Sequence, residues 1–147
     1  MTITNPDREG GDIAAAVLAA RLRAYAPHSN FLVGAAIEAL DGRVFTGCNV
    51  ENSSYGLTVC AERVAVFTAI AAGVPARAFK QIIVCGAPRG ASGGATGAAL
   101  TPPCGACRQV LWDLCGDIPV TLLGLDGATE TIQLTDLLPR AFDATHL

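Results

Sequence analysis

Residues 58–72 form a predicted helix that is apolar on nearly every side, and this segment limits the folds that the chain can adopt. Thr58 provides its N-cap and Gly73 its stop. A helix without a polar face is normally buried on all sides. Its only charged residues are Glu62 and Arg63, and burying an unpaired charge costs several kcal/mol. We therefore expect each of these charges to have a partner, or both to reach solvent together.

Strand and helix patterns alternate along the chain. Asp41-Gly42 between two apolar runs predicts a hairpin. Predicted helices cover residues 12–25, 58–72, 105–115 and 135–138, and predicted strands cover residues 31–40, 43–49, 79–86, 118–125 and 129–134. Strands that alternate with helices after an opening hairpin are typical of a mixed sheet with helices on both faces. We expect an α/β fold, a three-layer α/β/α sandwich with a mixed five-stranded sheet.

The composition is unusually apolar for a chain of 147 residues, with 51% hydrophobic and 16% charged residues. Such a balance indicates surface that is buried against partner subunits or at a membrane. No stretch approaches the roughly 20 apolar residues of a membrane helix, and residues 2–12 are polar, without the apolar core of an export signal. With no repeat and no linker, we expect a single domain over residues 1–147, in a cytoplasmic oligomer without a membrane partner.

Net charge and cysteine content narrow the functional class of the protein further. The net charge is -3 and no basic run occurs, so a nucleic-acid partner is not expected. Six cysteines would allow three disulfides in a secreted protein. Without an export signal, free thiols for metal or redox work are the better interpretation.

Three of the cysteines are spaced for chemistry. Cys104 and Cys107 form a Cys-x-x-Cys pair, and Cys60 lies two residues before Glu62. Three thiolates with one open position describe a catalytic zinc site, because structural zinc usually takes four protein ligands. Both groups fall at predicted helix starts, where the helix dipole favours thiolates. We expect Cys60, Cys104 and Cys107 to hold one Zn²⁺ per subunit, and Glu62 to move protons for a water at the open position.

Arg63 is the second charge on the apolar helix. Because three thiolates around Zn²⁺ leave a net negative charge, our hypothesis is that Arg63 donates hydrogen bonds to the ligand sulfurs and restores the acidity of the metal. Two alternatives stay open at this point. The Cys-x-x-Cys pair could serve redox chemistry, or a fourth ligand from Cys48 or Cys85 could close a non-catalytic zinc site. Otherwise Cys85 and Cys115 are expected to be core thiols.

The cysteine motifs carry a resemblance to a known family. Cys60-Ala61-Glu62 and Pro103-Cys104-Gly105-Ala106-Cys107 follow the zinc-deaminase pattern. Nearly the whole chain resembles the small homotetrameric cytidine deaminases, with matching stretches at residues 29–36, 46–56, 60–63, 104–111 and 137–142. The resemblance implies hydrolytic deamination of cytidine and 2′-deoxycytidine to the uridines in pyrimidine salvage. It also implies a homotetramer with shared active sites.

The resemblance also assigns roles to residues around the metal. Asn49 and Glu51 fall on the pair that holds the ribose 3′-hydroxyl, which is both a donor and an acceptor. Phe31 falls on the aromatic that packs against the pyrimidine, and Ala61 is among the implied substrate-binding residues. The contacts that a neighbouring subunit supplies are implied for Ser53, Tyr55 and Phe142.

Three departures from the family leave substrate preference open. His28 stands where a Tyr is usual, Thr101-Pro102 replaces the usual residues before Pro103, and the loop at residues 89–100 is longer than is typical. The nearest alternative substrate is a modified cytosine nucleoside such as blasticidin S. The Asn49 and Glu51 pair favours a ribose instead, and disfavours free cytosine for the same reason.

Overall fold

The computed structural model describes residues 12–93 and 99–147. Most of the polar N-terminal stretch and the middle of the 89–100 loop lie outside the described residues. The helices are α1 (Ile13–Arg21), α2 (Ala61–Ala71), α3 (Gly105–Cys115) and α4 (Leu134–Leu137), and the strands are β1 (Phe31–Ala39), β2 (Val44–Cys48), β3 (Phe79–Pro88), β4 (Pro119–Leu123) and β5 (Thr129–Gln133). Over the described ranges, no helix combines the length and apolarity needed to cross a membrane.

The five strands form one mixed sheet in the order β2-β1-β3-β4-β5. β1 pairs antiparallel with both β2 and β3, β3 pairs parallel with β4, and β4 pairs antiparallel with β5. The predicted hairpin joins β1 to β2, and its Gly42 adopts a φ of 89°, which glycine tolerates best. The parallel pair requires a crossover, and α3 lies within that connection.

Helices cover both faces of the sheet. On β1, Ala35 and Ile37 belong to the core cluster that contains α2 and α3, whereas Ala36 packs with Val17 of α1 on the opposite face. Alternate residues of a strand point to opposite faces, and β1 is apolar except for Glu38 because it is buried on both. The predicted three-layer sandwich with a mixed five-stranded sheet is confirmed.

Two helix boundaries differ from the sequence prediction by more than one residue. The first helix ends at Arg21 rather than Tyr25, because the backbone of Tyr25 pairs with residues 49 and 51 as an isolated bridge. The second helix begins at Ala61 with Cys60 as its N-cap, and the prediction that Thr58 caps it was wrong. Thr58 instead closes a 3₁₀ turn over Tyr55–Leu57, since its N–H bonds to the carbonyl of Tyr55.

A close contact between α2 and β2 determines where the start of α2 lies. A Cβ on Gly47 would come within 2.5 Å of the backbone nitrogen of Ala65, so only glycine allows this approach. Just after β2, Val50 pairs with Val59 through backbone hydrogen bonds of 2.9 and 3.0 Å. The segment that follows β2 therefore runs beside the residue that precedes Cys60.

Candidate active site

Three cysteine thiols meet where two helices begin. Cys60 is the N-cap of α2, Cys104 is the N-cap of α3, and Cys107 lies in the first turn of α3. Their Sγ atoms all lie within 4.8 Å of one another, and those of Cys60 and Cys104 are 3.9 Å apart. Tetrahedral zinc with Zn–S bonds of roughly 2.3 Å separates its sulfurs by roughly 3.8 Å. The three thiols therefore fit Zn²⁺, and their helix-terminal positions favour the thiolate form that binds it.

The N-cap position removes a geometric difficulty. Residues two apart within a helix point to different faces. Cys60 has an extended backbone (φ -74°, ψ 156°) and stands just outside the helix, so the geometry of a helix interior does not apply to it. Cys60 and Glu62, both at the N-terminal end of α2, can therefore contribute to one site.

The thiols compete for protons with one another. The hydrogen bond from the Cys107 thiol, with help from Arg63 and Cys104, lowers the pKa of Cys60 to about 5. The same Cys60 contact, together with burial, raises the pKa of Cys107. Negative charge concentrates at this cluster, and a bound cation is the natural counterion for it.

Arg63 lies against this negative charge. Its Nη2 atom donates to Cys60 Sγ at 3.4 Å and to the carbonyl of Thr58 at 3.3 Å. Its Nε is buried and has no hydrogen-bond partner within the described part of the chain. The guanidinium therefore contacts a candidate ligand sulfur, and its predicted role in charge compensation stays a prediction.

Glu62 is buried beside the thiols. The side chain is 4% exposed, in the first turn of α2. Burial raises the pKa of Glu62 to about 7, with a further contribution from the nearby Cys60 sulfur, although a hydrogen bond with Cys107 acts in the opposite direction. A carboxyl group that titrates near neutral pH can accept and release protons.

Asn49 holds the backbone of Phe31, and Glu51 holds the backbone segment just before it. The Asn49 side chain is buried; its Oδ1 accepts from the N–H of Val33 at 2.8 Å and its Nδ2 donates to the carbonyl of Phe31 at 2.9 Å. The Glu51 carboxylate accepts from the N–H groups of His28 and Ser29 and from the Ser29 hydroxyl. Those hydrogen bonds, Ser29 Oγ foremost, lower the pKa of Glu51.

The other predicted substrate residues are less closely grouped. Ala61 is fully buried at the start of α2, and its predicted contact with a substrate stays a prediction. Tyr55 is 75% exposed, with the ring of His28 edge-on at 5.4 Å between centroids. Phe142 is 59% exposed and stacks on His146. It lines a 490 Å³ groove whose lining includes none of the three thiols.

Sequence reasoning did not give a role to Ser29 or Arg21. Ser29 lies in the matching stretch at residues 29–36, two residues before Phe31. Serine hydroxyls often bond a nearby backbone N–H in turns, and this was the available sequence signal. Arg21 closes an Ala-rich helix, and nothing in its sequence neighbourhood distinguishes it from the exposed Arg23. The structure buries its guanidinium among backbone carbonyls.

The fold and the site together define a class of zinc-dependent enzyme, in which helix N-termini present thiolate ligands next to a buried carboxyl group. Residues 11–120 match the family described as the cytidine and deoxycytidylate deaminase zinc-binding region. The chain belongs to this family.

Similar proteins agree with this assignment. A cytidine deaminase of Sporosarcina psychrophila is 45% identical over 129 residues, which cover 87% of both chains. The crystal structure of a cytidine deaminase from Burkholderia pseudomallei superposes with a TM-score of 0.78 at 47% identity, covering 88% of this chain and 96% of that one. The crystal structure of cytidine deaminase from Mycobacterium tuberculosis superposes with a TM-score of 0.72 at 36% identity, covering 92% of this chain and 98% of that one. The predicted fold and the predicted zinc-dependent cytidine deaminase family are confirmed, whereas the homotetramer stays a prediction.

Proposed function

We propose that this chain catalyses the hydrolytic deamination of cytidine and 2′-deoxycytidine to uridine and 2′-deoxyuridine, with release of ammonia. One observation carries the proposal: three thiols within 4.8 Å of one another lie beside a carboxyl group that is almost fully buried. Relatives that are cytidine deaminases, at 44–45% identity over 129 residues, support it.

The chemistry divides between the metal and Glu62. Bound Zn²⁺ supplies a Lewis acid that makes a water molecule nucleophilic near neutral pH. Glu62 accepts a proton from this water and delivers it to N3 of the cytosine ring while the water oxygen attacks C4. Glu62 would then take the remaining proton from the new C4 hydroxyl and deliver it to the amino group, so that C4=O forms, the C4–N bond breaks and ammonia leaves. A single carboxyl group acts first as a base and then as an acid, and its burial keeps competing water away from the transfer.

Hydrogen-bond accounting supports both nucleosides as substrates. A carboxylate has about four acceptor positions; the contacts from His28 and Ser29 occupy three on Glu51. Asn49 Nδ2 has two N–H groups, and one already donates to Phe31. The pair thus offers one acceptor and one donor, which satisfy a single hydroxyl. If that hydroxyl is the 3′-hydroxyl, the pair makes no contact with the 2′ position and does not discriminate between cytidine and 2′-deoxycytidine.

We also propose a homotetramer with shared active sites, built from one domain over residues 1–147. Ser53, Tyr55 and Phe142 are exposed in the single chain and would complete the pocket of a neighbouring subunit. Further exposed apolar side chains, Leu22, Leu57 and Phe67 among them, would become buried by such an assembly. The six cysteines are free thiols, which agrees with a cytoplasmic role in pyrimidine salvage.

The test is an ultraviolet assay of cytidine loss combined with ammonia detection, run with and without a zinc chelator. We expect turnover of cytidine and 2′-deoxycytidine, loss of activity with the chelator, and recovery when zinc is restored. Blasticidin S in a parallel assay distinguishes the alternative substrate. Turnover of blasticidin S alone, or activity that survives complete zinc removal, would contradict the proposal.

A further inference from the structure

The hydroxyl of Ser29 lies between two elements of the site that sequence reasoning treated separately. It donates to Oε1 of Glu51, the predicted sugar-binding carboxylate. It also accepts from the N–H of Phe31, the predicted pyrimidine platform, at 3.1 Å. One side-chain oxygen therefore joins the group expected to hold the sugar to the group expected to hold the base.

The remaining contacts turn this link into a fixed unit. Backbone N–H groups of His28 and Ser29 donate to Oε2 of Glu51 at 2.7 and 3.2 Å, so the chain wraps around the carboxylate. From the other side, Asn49 Nδ2 donates to the carbonyl of Phe31. The N–H of Phe31 is thus held by Ser29, and its carbonyl by Asn49 of the predicted sugar site.

The ring of Phe31 has little freedom to move independently of its backbone. A Cβ on Gly86 would lie 2.8 Å from Cε1 of Phe31, which shows that the ring packs directly on the backbone of β3. Thr101 contacts the same glycine, and its hydroxyl donates to the Gly86 carbonyl at 3.0 Å. A shift of the backbone at residues 29–31 would therefore shift the ring.

We propose that Ser29 is a positioning residue that aims the Glu51 carboxylate at the sugar hydroxyl and holds it in register with Phe31. The inference rests on the proposed function and adds a specificity determinant to the same site. Without the Ser29 hydroxyl, Oε1 of Glu51 keeps no described hydrogen bond, and the carboxylate can rotate about the two N–H groups that hold Oε2. Ser29 itself need not touch the substrate.

The experiment compares Ser29→Ala with Ser29→Thr in the zinc-loaded, full-length enzyme. Hydrogen bonds to charged groups are among the stronger ones in proteins, so we expect KM for cytidine to rise about tenfold in Ser29→Ala. We expect kcat to stay within about twofold, because the metal site is unchanged. Ser29→Thr keeps the hydroxyl at an exposed position and restores KM. Thr131→Val is the matched control, since it deletes an exposed, hydrogen-bonded hydroxyl on β5.

A second substrate separates positioning from a general effect on the fold. On 3′-deoxycytidine, which lacks the hydroxyl that Glu51 would hold, the ratio of wild-type to Ser29→Ala kcat/KM should fall from about ten to about two. An equal ratio on both substrates, or an unchanged KM for cytidine in Ser29→Ala, would overturn the positioning role while leaving the deaminase assignment intact. A wild-type enzyme that does not deaminate cytidine would overturn both.

Discussion

Arg21 provides the sharpest test of how this fold holds its active-site strands. Arg21 is 4% exposed, and its guanidinium has no carboxylate partner in the described residues. Nε donates to the carbonyl of Leu32 at 3.1 Å, and Nη2 donates to those of Ala87 and Pro88 at 2.8 Å each. These carbonyls belong to the start of β1 and the end of β3, next to Phe31. Arg21 therefore ties α1 to both strands that support the proposed pyrimidine platform.

The substitution Arg21→Met keeps an unbranched apolar stem and removes the donors. Three hydrogen bonds from a charged group stabilise by about 1.5–3 kcal/mol each, or roughly 4–9 kcal/mol together. Part of this is offset, because burying a guanidinium costs several kcal/mol of solvation and about 2 kcal/mol of side-chain entropy. We expect the difference to favour arginine, and the free energy of unfolding to fall by about 2–4 kcal/mol in Arg21→Met.

The assay is urea unfolding at equal protein concentration and equal zinc content, because bound metal and subunit association both raise apparent stability. Arg23→Met is the matched control, since Arg23 is exposed and lies two residues away; its effect should stay within about 0.5 kcal/mol. If Arg21→Met unfolded at the wild-type urea concentration or above it, the solvation cost would exceed the hydrogen bonding and the reasoning would be refuted.

Three further predictions concern the site and the core. Glu62→Gln should keep one zinc per chain by elemental analysis yet lose at least about a thousandfold in kcat, because both proton transfers are removed; near-normal turnover would sink the mechanism. Arg63→Gln should also keep the metal but turn over about tenfold more slowly, and an unchanged rate would remove Arg63 from the chemistry. Burial raises the pKa of Cys115 to about 12 from an ordinary value of 9.0. Ionisation above pH 9 therefore favours the unfolded chain, so the wild-type unfolding free energy should fall by up to about 1.4 kcal/mol per pH unit more steeply than that of Cys115→Ala; parallel slopes between pH 9 and 11 would contradict this.

Much of the metal site could be predicted because its chemistry is local in the sequence. Cys104 and Cys107 share one helix start, and Cys60 and Glu62 share another, so spacing alone limits what each pair can do. The apolar helix around Glu62 predicted that this charge has a partner or reaches solvent, and the structure buries it beside the thiols and Arg63. The strands were predictable for a related reason: β1 and β3 each contain an apolar run, at residues 31–37 and 82–87, that is covered on both faces.

The tertiary contacts of the site were harder to predict. Thr58 was expected to cap the second helix because threonine is a good N-cap, yet its hydroxyl oxygen accepts from the N–H of Asn52 at 3.2 Å and the helix begins three residues later. The pairing of Tyr25 with the segment after β2 shortens α1, and no local sequence pattern predicts a bridge between residues so far apart. The roles of Arg21 and Ser29 arise from partners 66 and 22 residues away, respectively, which a single sequence does not reveal.

The structure gives a physical reason why the metal centre and the proposed sugar site stay in register. Gly47 lets α2 lie against β2 at a distance that any Cβ would prevent. The chain leaving β2 then pairs through Val50 with Val59, one residue before Cys60. Asn49 and Glu51 lie on either side of Val50, so the backbone bridge beside the first thiol also positions the proposed sugar-binding pair. If a nucleoside places its base at the metal, we expect its ribose to lie near those two side chains, because the same short bridge fixes the backbone beside both.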